Sequence, residues 1–307
     1  MRVSCLALAA TMLCAGASAA QAQYSYYGGA NAAYAGSPEI NLHREVEAAE
    51  TNLHISAGFM HTQYHENFEP GTGDDENGYT PGFEIGASLM QPDWALPWNG
   101  DLYAALDYEL NTGNLTYGGH TENLTTGEVQ PYDTTDQATF NRIEARAGLG
   151  FALVHGMEIT PYLAGGYQSW NRNIDNADSN VSGGKEFYSA GLVGGGLLFD
   201  VPATDKLVVS ADAQVLALIA ANISNSDYNY SQSMGDSGEE RLSLGLDDAI
   251  RGPFHVFMKG YWEHFNYAGN KPSLSGLVMI DNEAVIVHEP LSTTTQFGVN
   301  IGMAYSF

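Results

Sequence analysis

The chain ends in a segment whose side chains alternate between apolar types and small or polar types. Apolar residues occupy every second position from Phe297 to Phe307, and glycine, asparagine, alanine and serine fill the positions between them. Successive side chains of a β-strand point to opposite faces, so the segment predicts a strand with one apolar and one polar face. Such a strand suits a sheet with lipid on one side and a polar interior on the other.

The same period of two recurs upstream, and we predict ten strands in all. In segment 186–199 the phase is ambiguous because the segment is rich in glycine. Ten is an even number, as in single-chain bacterial barrels. The nine strands before the terminal one are predicted at 51–65, 79–90, 101–111, 138–153, 158–170, 186–199, 206–221, 239–248 and 254–266.

No segment after the N-terminal region is long and apolar enough for a membrane-spanning helix. The most apolar one, 207–221, has only 15 residues and contains Asp212 and Gln214, whereas a spanning helix needs about 20 apolar residues. A chain without such a helix crosses a membrane only as a closed barrel. The predicted fold is therefore all-β: a single transmembrane antiparallel up-and-down β-barrel of about 10 strands, with a range of 8–12.

The predicted connections alternate between long and short, as in outer-membrane barrels with long outer loops and short periplasmic turns. The segment Leu277–His288 in the last outer loop leaves room for an additional hairpin. Tryptophans 94, 98, 170 and 262 fall near predicted strand ends, where aromatic girdles form. The outer loops are predicted at 66–78, 112–137, 171–185, 222–238 and 267–293, and the inner turns at 91–100, 154–157, 200–205 and 249–253.

The N-terminus has the pattern of an export signal. Arg2 precedes a short apolar run, and Ala20-Gln21-Ala22 fits a cleavage site, so residues 1–22 are predicted to be a signal peptide. Both cysteines lie in this segment, which excludes disulfides from the mature chain. We expect residues 23–50 to be a periplasmic tail, whose second half forms a short helix or extends the first strand, and residues 51–307 to be the barrel.

Acidic residues dominate the charge. The chain has 36 Asp and Glu against 11 Lys and Arg, a formal net charge of −25. This balance excludes nucleic acid as a partner, because a nucleic-acid binder needs a basic face. Frequent aromatic and aliphatic residues argue against disorder.

These features together resemble Gram-negative outer-membrane β-barrel proteins. More narrowly, segments 142–151 (RIEARAGLGF) and 159–168 (ITPYLAGGYQ) are similar to a group of uncharacterised proteobacterial barrels with a C-terminal Phe. The resemblance implies location in the cell outer membrane and contact with outer-membrane lipid and lipopolysaccharide. We expect no cofactor. It also implies recognition by the barrel-assembly machinery through the alternating residues Phe297, Val299, Ile301, Met303, Tyr305 and Phe307.

Charged residues on the predicted inner face of strands two to four form the main candidate site. A charge inside a narrow barrel must be paired, because desolvation alone costs several kcal/mol. We expect an internal salt-bridge network that fills the barrel; the alternative is a constriction that selects ions or small solutes. The cluster comprises Glu84, Asp107, Glu109, Arg142, Glu144 and Arg146.

Other polar patterns give weaker signals. Asp74, Asp75 and Glu76 lie in an acidic outer loop and offer oxygen ligands of the kind that Ca²⁺ or Mg²⁺ prefers, but we predict a solvated loop and no metal. The Asp107-x-Glu109 pair resembles the paired acids of omptin proteases, yet the sequence has no Asp-x-His couple. His54-x-Ser56 has the spacing of lipid A deacylases and is predicted to be a lumen-lining polar pair.

Three functional hypotheses follow. The first is a barrel without catalytic activity or catalytic residues, acting as a narrow porin-like pore, a surface-interaction protein or a membrane-stabilising element. The second is an outer-membrane barrel enzyme acting on lipid A or peptides. The third is a soluble secreted β-sandwich that binds carbohydrate. The sequence does not determine the oligomeric state.

Overall fold

The computed structural model describes residues 38–67, 73–92, 100–123, 126, 128–176, 183–227, 229–271, 277–280, 283–286 and 288–307. The predicted signal peptide and Trp94 and Trp98 lie outside these residues. Among the described residues, no helix is both long and apolar enough to cross a membrane.

One helix, α1 (Pro38–Ala49), precedes the strands, which are numbered in chain order. They are β1 (Asn52–Asn67), β2 (Asp75–Gln91), β3 (Asp101–Asn123), β4 (Glu128–Ala152), β5 (Glu158–Asn173), β6 (Lys185–Pro202), β7 (Leu207–Asn225), β8 (Tyr230–Ser233), β9 (Ser237–Arg251), β10 (Phe254–Tyr267), β11 (Leu277–Ile280), β12 (Glu283–Ile286) and β13 (Leu291–Ser306).

Ten long antiparallel strands form a closed ring. Each pairs with its neighbour along the chain, β6 pairs with β7, and β13 pairs with both β10 and β1. The short β8 continues the edge of β7 above β9, and β11 and β12 form a separate hairpin. The predicted barrel is confirmed, and the hairpin within Leu277–His288 is present. A closed ring replaces the two stacked sheets that the β-sandwich hypothesis requires, so that hypothesis is wrong.

Several strands are longer than the periodicity predicted. β3 and β4 have 23 and 25 residues and stay paired through most of the segment 112–137 that we had assigned to an outer loop. The reason is compositional: beyond the apolar stretch their outward positions carry mostly Thr, Asn, Asp and Gln, which pair in a ladder without the apolar signal that marks a strand.

The two faces of the strands differ as predicted. On β1, Leu53, Ile55 and Phe59 point outward and are exposed, while Ser56 and Met60 point inward and are buried. So many exposed large apolar side chains exceed what a soluble monomer tolerates, and they form a continuous outer band. We call this the apolar belt; its members include Leu53, Ile55, Phe59, Ile85, Ile143, Leu163, Val193, Val215, Leu244, Met258, Ile301 and Met303.

The tryptophans fit the predicted girdle poorly. Trp262 is on the outer face of β10, but Trp170 is only 2% exposed and packs inside the barrel against Phe140 and Tyr188. The girdle prediction is therefore wrong for Trp170. A residue near a strand end reaches the lipid interface only if its position in the alternation faces outward.

Helix α1 enters the end of the barrel that holds Asn52 and Ser306, which we call the lower end. Val46 and Ala49 are buried there. The helix packs on the β4–β5 turn, where Gly156 has φ +74° and a Cβ would come within 2.8 Å of the backbone nitrogen of His43. Glycine at 156 thus permits both the turn and the close approach. The second half of segment 23–50 is a helix, and it does not extend β1.

Candidate functional site

All six residues of the predicted lumen cluster face the interior, and each takes part in an ion pair. The pairs that hold them together cross the lumen as well as linking neighbouring strands. Asp107, Glu109, Glu84 and Glu144 are bonded to basic residues on β4, β9 and β10. Ion pairs connect the six residues into one network, in which His54 links Glu84 to Asp107.

Arg142 on β4 lies at the centre of this network. Its guanidinium is 2.6 Å from Glu144, 2.7 Å from Glu239 on β9 and 3.3 Å from Glu263 on β10. It therefore ties one wall of the ring to the opposite one. A guanidinium suits this position because its five N–H donors lie in a fixed plane.

Further cross-lumen ties extend the same layer. Arg241 on β9 pairs across the lumen with Glu109 on β3 at 3.1 Å, and it also pairs with Glu263 on the neighbouring strand at 3.0 Å. Lys259 on β10 pairs with Glu84 on β2 at 2.5 Å. We call the resulting set the charge layer: Glu84, Asp107, Glu109, Arg142, Glu144, Arg146, Asp212, Glu239, Arg241, Lys259 and Glu263.

Arg146 forms the lower edge of the charge layer. It is 2.6 Å from Asp107 on β3 and 3.3 Å from Asp212 on β7. Below it lies a cavity of about 170 Å³, bounded underneath by Ala49 and Glu50 at the end of α1. The cavity is lined mainly by polar side chains, and the charge layer separates it from the upper interior.

The upper interior is filled differently, by aromatic rings around one cation. Arg172 on β5 is almost fully buried and lies 2.5 Å from Glu76 and 2.7 Å from Glu186. Its guanidinium stands 4.9 Å from the Tyr64 ring centroid and 5.1 Å from that of Trp170, within cation–π range. We call this set the aromatic layer: Tyr64, Phe140, Trp170, Arg172, Tyr188 and Tyr267.

A carboxyl group closes the aromatic layer from the loop above it. Glu289, between β12 and β13, accepts a 2.6 Å hydrogen bond from the Tyr188 hydroxyl, which also accepts one from Arg172 at 3.0 Å. Burial raises the pKa of Glu289 well above its ordinary value, and the carboxylates of Glu66 and Glu186 act in the same direction.

A second polar cluster lies at the lower end, between α1 and the barrel wall. We call it the lower cluster: His43, Glu47 and Asp101. His43 and Glu47 are four residues apart and share one face of the helix. The His43 Nε2 atom is 3.3 Å from Glu47 and 3.3 Å from Asp101, the first residue of β3. The hydrogen bond to Asp101 raises the pKa of His43 above its ordinary value, against the effect of burial.

The residues with catalytic resemblance are engaged in other contacts. His54 uses Nδ1 on Asn52 at 2.9 Å and Nε2 on Asp107 at 3.2 Å, so neither nitrogen of the ring faces Ser56. Asp107 forms an ion pair with Arg146, and Glu109 forms one with Arg241. His54, Glu84 and Asp107 do converge, but the Lys259 ammonium supplies the positive charge at that point.

The weak metal candidate is not assembled. Asp75 and Glu76 are consecutive on β2 and point to opposite faces: Asp75 is exposed beside His65, whereas Glu76 is buried against Arg172. Asp74 accepts a hydrogen bond from the Tyr117 hydroxyl. The three carboxylates therefore do not share one cation.

The terminal strand is the seam of the ring. Phe297, Val299, Ile301, Met303 and Tyr305 all point outward into the apolar belt, and Phe307 follows the end of β13, half-buried. The pairing of β13 with β1 and β10 closes the barrel.

Sequence reasoning did not gather Asp212, Gln214, Arg241, Lys259 and Glu263 into the cluster, although they occupy polar positions of the predicted strands 206–221, 239–248 and 254–266. It had no means to do so, since Arg142 and Glu263 are 121 positions apart. It missed the lower cluster and Arg172 altogether. The available signal for the lower cluster was the His43-x-x-x-Glu47 spacing on a predicted helix.

Comparisons with known proteins return structures and no sequence relatives. No family model matches the chain, and no curated protein matches it. The outer membrane protease OmpT from Escherichia coli is similar to it with a TM-score of 0.47 and 11% identity, over 84% of this chain and 97% of that one. The Pseudomonas putida toluene transporter TodX gives 0.33 and 10%, over 83% and 89%.

A third similar structure is Ail, the attachment invasion locus protein of Yersinia pestis. Its TM-score is 0.29 and its identity 11%, over 84% of this chain and 99% of that one. These neighbours differ in what their names describe, namely a protease, a transporter and an attachment protein, so none indicates an activity. The closed ring and its apolar belt themselves give this chain the outer-membrane β-barrel fold.

Proposed function

We propose that this protein is an integral outer-membrane barrel without catalytic activity, whose interior is closed and whose function lies on its outer surface. The observation that carries the proposal is the charge layer. Its basic side chains are bonded across the lumen to carboxylates on facing strands, so they are not arrayed along an open path. Of the three roles considered for a non-catalytic barrel, this favours surface interaction or membrane stabilisation over a pore.

The projecting β3–β4 hairpin supports the surface role. A membrane-crossing strand needs about 9–11 residues, and β3 and β4 have 23 and 25. At about 3.3 Å per residue, roughly half of each strand extends beyond the lipid. Its outward residues there include Thr112, Asn114 and Thr116, which suit water.

The orientation follows from the connections. The lower end carries short turns, such as 203–206 and 252–253, whereas the upper end carries the projecting hairpin and β11–β12. Short periplasmic turns and long extracellular connections are typical of outer-membrane barrels. The upper end is therefore extracellular and lies among lipopolysaccharide. The terminal residues Phe297 to Phe307 serve as the signal for the barrel-assembly machinery.

Conductance measurements test the closed interior. In a planar lipid bilayer we expect the purified protein to give no current steps above background. A double variant, R142A with R241A, removes three cross-lumen ion pairs; where it still folds, we expect it to conduct. Steady channels in the wild-type protein would contradict the proposal and restore the pore.

Cysteine labelling tests the orientation. The mature chain is predicted to lack cysteine, so T116C on the hairpin and D205C in the β6–β7 turn each introduce a single thiol. We expect a membrane-impermeant maleimide to label T116C in intact cells and D205C only after lysis. The reverse pattern would show that the hairpin faces the periplasm.

A further inference from the structure

The lower cluster joins a helix face to the barrel wall through groups that ligate metals. His43 Nε2, a Glu47 oxygen and an Asp101 oxygen all lie within 4.8 Å of one another. His43 and Glu47 come from α1, and Asp101 comes from β3. A small cation at their centre would contact both elements at once.

Glu158, the first residue of β5, adds an independent observation. Its side chain is fully buried, and neither carboxylate oxygen has a hydrogen-bond partner. Its nearest basic side chain is His43, whose Nδ1 lies 3.6 Å from Oε2. A buried carboxylate with no hydrogen bond is costly, so a cation bound beside His43 would stabilise it.

The wall is shaped to admit that carboxylate. Gly150 on β4 lies directly opposite Asp101, and a Cβ at Gly150 would overlap the Glu158 carboxylate and come within 3.1 Å of the Thr160 hydroxyl. The absence of a side chain at 150 therefore lets Glu158 lean across β4 toward Asp101 and His43.

We propose that the lower cluster binds a divalent first-row transition metal such as Zn²⁺, held by His43 Nε2, Glu47 and Asp101, with Glu158 accepting a hydrogen bond from the Nδ1–H group of His43. An imidazole with carboxylates suits this class of metal, whereas Ca²⁺ and Mg²⁺ prefer all-oxygen sets. A carboxylate on the second ring nitrogen is the usual support of a metal-bound histidine.

The metal would clamp α1 in the lower end of the barrel. Two of its ligands belong to the helix and one to the wall, so the docked helix binds metal and the undocked helix does not. Whatever binds only the docked form stabilises it by mass action. The cavity below the charge layer would then be closed in a metal-dependent way.

Calorimetric titration tests the site. Metal-free protein from residue 23 onward, folded in detergent micelles, is titrated with ZnCl₂; we expect one Zn²⁺ per chain. H43A should weaken binding at least tenfold, and E158Q should weaken it less. The control H65A removes an imidazole that lies 2.6 Å from Asp75 on the exposed upper rim, and should leave binding unchanged.

Folding and ligand identity are checked separately. Migration before and after boiling on an SDS gel reports whether each variant forms the barrel, and D101N keeps the side-chain shape if H43A does not fold. X-ray absorption at the zinc edge should show one imidazole and oxygen neighbours at about 2.0–2.1 Å. Trypsin cleavage after the exposed Arg44 should slow when Zn²⁺ is present.

Three outcomes would overturn the proposal. They are the absence of Zn²⁺ binding, equal binding by the wild type and by folded H43A and D101N variants, and binding of Ca²⁺ without Zn²⁺. None of them affects the proposed surface role, which depends on the charge layer and the hairpin.

Discussion

The two filled levels of the barrel solve the same problem with different chemistry. In the charge layer, basic residues on β4, β9 and β10 meet carboxylates across the lumen. In the aromatic layer, rings from β1, β4, β5, β6 and β10 pack around the single cation of Arg172. The first level depends on complementary charge, the second mainly on shape.

This difference teaches where each layer is vulnerable. A buried ion pair contributes little net stability, but the loss of one partner leaves an uncompensated charge and is strongly destabilising. An aromatic layer loses contact area and hydrogen bonds one at a time. Substitutions of comparable size should therefore have larger effects in the charge layer.

The largest effect is expected from R142M, which leaves Glu144, Glu239 and Glu263 without their shared cation. We expect the free energy of unfolding to fall by about 3–5 kcal/mol, measured by urea unfolding in lipid vesicles with tryptophan fluorescence. R251M, at an exposed site beside the β9–β10 turn, is the matched control and should change little. Equal stability of R142M and wild type would mean that the charge layer is not a connected unit.

A smaller loss is expected from Y188F in the aromatic layer. The substitution keeps the ring but removes the hydroxyl that bonds to Glu289 and Arg172. Leaving a buried acceptor without its donor costs about 1–3 kcal/mol, in the same urea assay. Y305F, on the exposed outer face of β13, serves as control. A loss as large as that of R142M would contradict the contrast between the layers.

The pH dependence of Glu289 sharpens the comparison. Burial raises the pKa of Glu289 in the folded protein, so the folded state keeps this proton to higher pH than the unfolded chain. Its contribution is therefore fully present below the unfolded pKa of about 4.3 and is lost as pH rises toward the raised value. We expect E289Q to gain stability relative to wild type as pH increases from 4 to 8. A difference that stays constant over this range would show that folding does not raise the pKa of Glu289.

The smallest effect on stability is expected on the upper rim of the barrel. His65 and Asp75 form a 2.6 Å pair in which both side chains are more than half exposed. Such pairs contribute about 0–1 kcal/mol, so H65A should leave the unfolding midpoint nearly unchanged at neutral pH. A loss above this range would mean that the pair stabilises the β1–β2 hairpin.

Prediction from sequence succeeded where the signal is local. Period two gave the inner and outer faces of β1, β3 and β13, because alternation follows directly from strand geometry. It failed to extend β3 and β4 past residue 111 and before residue 138, since paired polar strands carry no apolar period. It also gave no phase for β6, where Leu192 and Leu198 face inward and Val193 and Leu197 outward.

The candidate site was predictable only in part. Glu84, Asp107, Glu109, Arg142, Glu144 and Arg146 were identified because they lie on three consecutive strands whose neighbours are certain. Glu239 and Arg172 were missed: Glu239 was the first residue of its predicted strand, and Arg172 lay beyond the predicted end of β5.

By itself the sequence determined that apolar and polar side chains alternate along the strands, so that the apolar ones form one face. It also determined that no cysteine follows residue 22 and that basic residues are far fewer than acidic ones. Only the tertiary structure decided which charges meet. Arg142 reaches Glu263 across 121 positions, and Arg172 reaches Glu76 across 96. The physical reason is that strand pairing fixes the face of a residue locally, whereas its partner across the lumen depends on the tilt and register of the whole closed ring.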